Sequence, residues 1–328
     1  MLVDMKNSGN QHSALRNPLT SILGSKGHVI VLRELVKSTH PLSHSELLER
    51  TDLSRQGVYD ITKRLVETGV VTYTGSGRQQ LVELRRKYPL YRNLVNLFNM
   101  ETQRYEELVE TLRSIVQSLE KQPESAWIFG QTARGEDEYG DPVQVALLGK
   151  LKTVDSSTAE FREKLIEDRV ESNFDVTIDI RGVTVADLET KPSLTEDGMI
   201  HLWGVDPVKY LNSEIDEHDS VKSHKDLDER SLEESKIWTE LLKSNPEIIP
   251  RTISSIDNKI DETSTGEKLE LLEWKNLLEN SSFQRLKKFM ESDSERAFRL
   301  RQSLPFWQVL TENEKNKFEQ LKEERKES

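Results

Sequence analysis

Arg55, Gln56, Tyr59, Lys63 and Arg64 lie within ten residues of one another and carry the groups that meet a nucleic acid. Arginine and glutamine offer paired donors and acceptors to base edges, while lysine and arginine neutralise phosphates. Ser54 stands just before them, and Arg78 stands apart in the glycine-rich run Gly75-Ser76-Gly77-Arg78. A second set, Gly130, Gln131, Arg134, Asp141 and Asp179, combines a glycine turn with a cation and two carboxylates. Backbone N–H groups after such a glycine could receive a phosphate, and carboxylates could hold a metal against it.

The first set needs a helix to present it. Val58, Ile61 and Leu65 recur at spacings of three and four, which predicts an amphipathic helix with Arg55, Gln56, Tyr59, Asp60, Lys63 and Arg64 on its other faces. Ser54 can cap its start and Gly69 end it. Ser43 can cap a shorter helix before it, carrying Leu47 and Leu48, with Asp52-Leu53-Ser54 as the turn between. After Gly69, Val70 to Tyr73 and Gln80 to Leu84 alternate as two strands joined by the run that contains Arg78.

This order resembles the winged helix-turn-helix of transcriptional regulators of the multiple-antibiotic-resistance type, over about residues 20–90. The resemblance implies binding to double-stranded DNA. In that reading Arg55, Gln56 and Tyr59 meet base edges, Lys63 and Arg64 meet phosphate, and Arg78 tips the wing. Charge agrees with it. Residues 1–98 hold 14 Lys+Arg against 8 Asp+Glu, a net of +6, so the remainder holds −18 of the total of −12. A duplex attracts the first part and repels the second, which leaves the acidic part free for a protein partner.

From Tyr91 to Lys121 the chain reads as one long helix stopped by Pro123. Leu94, Phe98, Glu101, Tyr105, Leu108, Leu112, Ile115 and Leu119 follow at alternating spacings of four and three, a heptad seam broken by one glutamate. Such a seam packs against the chain's own later helices or against the same helix of a second copy; the expectation here is a homodimer.

Alternating strands and helices follow. Ala126–Phe129, Val143–Leu148, Phe174–Ile180 and Met199–Trp203 read as strands, and Ser157–Val170 as a helix. Within this segment Phe129-Gly130, Ala133-Arg134-Gly135-Glu136 and the strand to Leu148 resemble the minimal nucleotidyltransferases of the polymerase-beta superfamily. The family carries a serine where Gln131 stands and an Asp-x-Asp pair at the start of the second strand. Without gaps those two positions fall on Pro142 and Gln144; a shift of one residue recovers Asp141 but sets Val143 opposite the second. Two-metal chemistry needs both carboxylates on one strand face. The resemblance therefore implies a nucleotidyltransferase fold without catalysis, in which Gly130, Gln131, Arg134, Asp141 and Asp179 could still bind a nucleotide.

Residues 214–228 read as a polar linker; its His218 and His224 are read as solvated, not as metal ligands. From about Leu232 onward apolar stripes around Trp238, Trp274 and Phe289 predict a helical bundle, with Trp274 and Phe306-Trp307 as core. The chain has no cysteine, no run of eighteen apolar residues and no charged-then-apolar start, so a cytoplasmic protein without a membrane span is expected. Phosphate-loop, dinucleotide, zinc-protease and serine-hydrolase motifs are absent. No catalytic residue, metal or cofactor is expected.

The sequence thus predicts an α+β protein: a winged helix at 1–90, a connecting helix at 91–122, a nucleotidyltransferase-like α/β domain at 123–215 and helices at 216–328. Its expected role is transcriptional regulation. Two other readings remain open, an active nucleotidyltransferase of the toxin–antitoxin kind brought to DNA, and a DNA-localised scaffold for protein partners.

Overall fold

In the computed structural model the described residues are 22–75, 80–195, 198–211, 225–260 and 265–326, with Leu19 and Thr263. They form a mixed α+β protein in two compact units, 1–106 and 107–328. No described helix is long and apolar enough to cross a membrane.

Among the described residues the first unit holds, ahead of a long helix that starts at Tyr91, three helices and a small sheet: α1 (Lys26–Lys37), β1 (Leu42–Ser43), α2 (His44–Arg50), α3 (Arg55–Glu67), β2 (Val71–Thr74) and β3 (Leu81–Leu84). Serine caps start each helix. Ser25 accepts from His28 N, Ser54 accepts from Gly57 N, and Ser43 with Glu46 forms a reciprocal capping box. Gly69 follows α3 at φ 73°, the left-handed conformation that glycine adopts without strain. The sheet is antiparallel in the order β1-β3-β2, with Val71 opposite Leu84 and Thr74 opposite Leu81. Val31, Leu32 and Leu35 of α1, Leu47 of α2, Val58 and Leu65 of α3, and Val71 and Val82 of the sheet close one core. Gly27 lets α1 approach α3, because a Cβ there would lie 2.5 Å from Ile61 Cδ1.

The long helix α4 (Tyr91–Gln117) runs from the first unit into the second and ends four residues before the predicted limit. Its seam is covered by the chain itself. Leu94 and Phe98 join the first core, and Leu108, Leu112, Ile115 and the following Leu119 join the core of the second unit. Glu101 and Tyr105 are exposed, as is every residue from 99 to 107, and Glu101 makes a forked pair with Arg33 at 2.6 and 2.8 Å. The heptad spacing therefore records packing within each unit and needs no second copy.

The second unit centres on a four-stranded sheet in the order β6-β5-β4-β7, from β4 (Ser125–Phe129), β5 (Val143–Leu148), β6 (Ile178–Val183) and β7 (Ile200–Gly204). Strands β5 and β6 run parallel and the other pairs antiparallel. The helices α5 (Gly130–Arg134), α6 (Leu151–Glu167), α7 (Val170–Phe174) and α8 (Val185–Thr190) lie between them in the chain, and α9 (Pro207–Leu211) follows β7. One sheet face buries Ile128, Val145, Leu147, Ile178 and Ile180 with Phe161 and Leu165 of α6 and the end of α4. The other buries Trp127, Phe129, Ala146, Leu148 and Val183.

The third strand starts later than its sequence predicts. Residues 170–174 are helical, Asp175 takes a left-handed φ of 49°, and only from Ile178 does the chain continue as strand. Side-chain bonds override the local alternation: Glu171, seven residues before, accepts from Ile178 N at 2.7 Å, and the distant Arg285 donates through Nη1 to Asp175 at 2.5 Å. The helix predicted at 157–170 is displaced toward the amino terminus, as α6.

The helices α10 (Lys225–Ser244), α11 (Ile248–Lys259), α12 (Thr265–Asn280), α13 (Phe283–Met290), α14 (Glu295–Arg301) and α15 (Glu312–Lys326) bury Trp238, Trp274, Phe289, Phe306 and Phe318. Trp307 remains exposed, in contrast to the predicted core pair. Of the predicted linker at 214–228, residues 214–224, with His218 and His224, lie outside the described residues, and residues 225–228 are the start of α10. These helices join the sheet through buried charge. Arg296 Nη1 meets Glu171 at 2.5 Å, its Nε meets Glu273 at 2.9 Å, and all three side chains are almost wholly buried.

Candidate nucleic-acid interface

Helix α3 separates its faces cleanly. Val58, Thr62 and Leu65, at i, i+4 and i+7, enter the core, while Arg55, Gln56, Tyr59, Asp60, Lys63 and Arg64 are exposed on the rest of the cylinder. The side chains of Arg55, Lys63 and Arg64 make no hydrogen bond or ion pair with any described residue. Three cations without ion pairs, against the carboxylates of Asp60 and Glu67, leave the helix a net positive charge that a polyanion would neutralise. Gln56 Nε2 donates to Asp60 Oδ1 at 2.9 Å, which fixes both amide and carboxylate one turn apart. Ser54 is exposed, but its hydroxyl caps α3 by accepting from Gly57 N at 3.1 Å. Arg78 lies outside the described residues.

The second candidate set does not come together as a reaction centre. Arg134 is exposed and its Nε donates to Glu136 at 2.7 Å. Gln131 is exposed at the start of α5. Gly130 has φ 74° and carries the side chain of Gln144 against it, since a Cβ at Gly130 would sit 2.0 Å from Gln144 Oε1. Register places Phe129, Gln144 and Asp179 side by side across β4, β5 and β6. Gln144 and Asp179 therefore share a face, whereas Val143 points into the opposite core. Of the two sequence alignments, the one that sets Gln144 at the second carboxylate position is the one that faces Asp179.

Asp141 precedes β5; it accepts from Lys288 Nζ at 2.7 Å and from Glu138 N at 2.7 Å. Burial works against the Asp141 carboxylate, but the hydrogen bonds from Lys288 and the Glu138 backbone hold it below the usual aspartate range. Asp179 is 6% exposed with Oδ1 unpartnered, and burial raises its pKa despite Arg296 and Arg181 nearby. One carboxylate is salt-bridged and the other sealed. Among the described residues no group of three or more His, Asp or Glu could hold a metal ion.

No family profile, curated protein or solved structure matches this chain. Its chemistry has to be read from its own side chains, and two features escape the sequence reading. The first is His44, at the start of α2. Its ring lies 6.0 Å from Tyr59 of α3 and 6.2 Å from Tyr73 of β2, and its Nε2 is 3.0 Å from Thr62 Oγ1. The Thr62 hydroxyl already donates its proton to Val58 O and Tyr59 O at 2.8 and 2.9 Å. Nε2 must then be the donor, which assigns the tautomer and leaves Nδ1 as an acceptor. Burial lowers the His44 pKa and so favours the neutral ring. No spacing in the sequence links these residues.

The second feature is Arg85-Arg86-Lys87, three exposed cations directly after β3. Arg85 also lies over the Tyr88 ring at 5.6 Å. Here the signal was visible as a run of three basic residues.

Proposed function

We propose that this chain is a sequence-specific, double-stranded-DNA-binding transcriptional regulator of the cytoplasm. Helix α2, the turn to α3 and the β2–β3 pair act as a winged helix-turn-helix, with α3 in the major groove. The observation that carries this reading is the exposed α3 face, where the side chains of Arg55, Lys63 and Arg64 stand without ion-pair partners among the described residues, beside Gln56 and Tyr59. Arg55, Gln56 and Tyr59 read base edges, and Lys63 and Arg64 hold phosphate. Arg78 and the Arg85–Lys87 run add electrostatic grip.

The α/β part of the second unit acts as a non-catalytic platform. The separation of Asp141 from Asp179, and glutamine at position 144, support this, because metal-assisted transfer requires converging carboxylates. The acidic remainder of the chain faces a protein partner. A homodimer places two α3 helices on two half-sites; Leu97 and Met100, 53% and 66% exposed on α4, are the apolar surface that favours it.

The deciding experiment is enrichment of genomic fragments by the purified full-length protein, followed by gel shifts on the recovered site. Recovery of a common site, with a shift lost in the Arg55→Glu, Lys63→Glu double variant, supports the regulator. Random recovery, or a shift that survives both substitutions at moderate salt, rejects it.

A further inference from the structure

Arg162 lies on α6, between the buried Phe161 and Leu165 side of the helix and the α12 and α14 helices of the bundle. It is half-buried, yet its side chain makes no hydrogen bond or ion pair with any described residue, and its Nε is sealed from solvent without a partner. Of the carboxylates nearby, half-exposed Glu295 pairs loosely with Arg181 at 3.6 Å, and the buried ones are already taken. Glu273 gives Oε2 to Arg296 Nε at 2.9 Å and Oε1 to Arg299 Nη2 at 2.6 Å. Glu171 is engaged by Arg296, Asn276 Nδ2 and Ile178 N. Arg299 is itself incompletely matched: Nη1 reaches Glu270 only at 3.5 Å, and its Nε is buried and unpartnered.

Arg296 and Arg299 thus hold the buried carboxylates, Glu270 and Glu295 at the margin pair with Arg299 and Arg181, and Arg162 is the guanidinium left without a direct contact. Burial and then the charge of Arg299 lower the Arg162 pKa, but an arginine does not shed its proton in a protein. An unpaired, partly desolvated charge beside a like charge is destabilising unless an anion joins it. Guanidinium donors in a planar fork match the oxygens of a phosphate.

We propose that Arg162 and Arg299 form a phosphate-binding site on the second unit, open to inorganic phosphate or to the phosphate group of a small phosphomonoester. The site is independent of the DNA-binding face and of Gly130.

The test uses the full chain. All five tryptophans lie in the second unit, so their fluorescence reports its unfolding alone. At equal ionic strength, inorganic phosphate at about a hundred times its Kd should raise the wild-type Tm by roughly 5 °C over chloride. Arg162→Gln should melt in chloride at or above the wild-type temperature, because it removes the unmatched cation, and should lose most of the phosphate shift. General stabilisation by phosphate as a salt acts on both proteins equally and cancels in the comparison. Equal wild-type midpoints in phosphate and chloride, or an undiminished shift in Arg162→Gln, overturns the site.

Should Arg162→Gln not fold, Arg162→Lys keeps the charge and loses the fork. Phosphorus NMR titration should then show at least a tenfold weaker affinity, and an unchanged affinity overturns the site. Parallel titrations with inorganic phosphate and adenosine monophosphate identify the source: tighter binding of the ester assigns a phosphomonoester, and tighter binding of the free ion assigns inorganic phosphate.

Discussion

Glu171 and Arg296 are 125 residues apart in the chain and meet at 2.5 Å, each less than a tenth exposed. Burial alone would lower the Arg296 pKa, but Glu171 and Glu273 raise it well above the ordinary arginine range. Truncating one member leaves the others charged and unmatched in a dry interior. Glu171→Ala should therefore cost roughly 3–5 kcal/mol, as for other broken buried pairs. Urea unfolding followed by tryptophan fluorescence measures it. A loss below about 1 kcal/mol would place this pair with solvent-screened ones instead.

Asp179 gives the opposite sign. Its folded pKa is raised by burial, so the native state holds the proton at pH values where the unfolded chain has released it. Stability should fall as pH rises from the ordinary aspartate value of about 4 through the raised folded value. Asp179→Asn should lack that decline and exceed the wild-type Tm at neutral pH. Melting curves across this range check it; a variant with the wild-type slope contradicts the assignment.

His44 titrates in the other direction. Burial lowers its folded pKa, so its contribution to stability is complete above the unfolded value of about 6.5 and is lost as pH falls through the folded value. His44→Gln should flatten the pH dependence of first-unit stability over that window. Amide exchange of residues 44–73 at two pH values reads it without relying on tryptophan. Identical dependence in both proteins would rule out the ring as its source.

Lys63→Ala should weaken DNA binding by a similar factor on every sequence and reduce the slope of log affinity against log salt by about 0.9. Gln56→Ala should instead change the preferred site and leave the salt slope intact. Reversed behaviour of the two variants would exchange their roles on α3.

Leu97→Asp with Met100→Asp should lower the mass of the particle seen by light scattering if two copies pair through α4. A wild-type monomer at tens of micromolar removes the dimer, since association of useful strength is populated there. Leu108 and Leu112 are unsuitable for this purpose, because both are buried in the second unit's own core and charge there would unfold it.

Where a signal is local, the sequence announces it. Ser43, Ser54 and Gly69 cap elements through bonds to residues three or fewer positions away, so the boundaries of α2 and α3 and the exposed set on α3 follow from spacing alone. Residues 174–180 mislead because Phe174, Val176, Ile178 and Ile180 alternate as a strand would. The bonds that make part of this run helical and turned come from Arg285, 110 positions beyond Asp175, and such distance leaves no periodic trace. The seam of α4 shows its spacing but not what covers it. His44 is invisible for the same reason, since its place depends on α2, α3 and β2 meeting.

Strand β6 is an edge strand, and Arg296 Nη1 covers its Ile178 carbonyl at 2.8 Å. Ile178 leaves the ribosome 118 residues ahead of Arg296. At about 5–20 residues per second, this sheet margin has no cover for roughly 6–24 s of every round of synthesis. An unprotected margin is a template for pairing with another nascent chain. The α/β half of the second unit is thus exposed to misassembly until synthesis has passed Arg296, and slow synthesis lengthens the hazard.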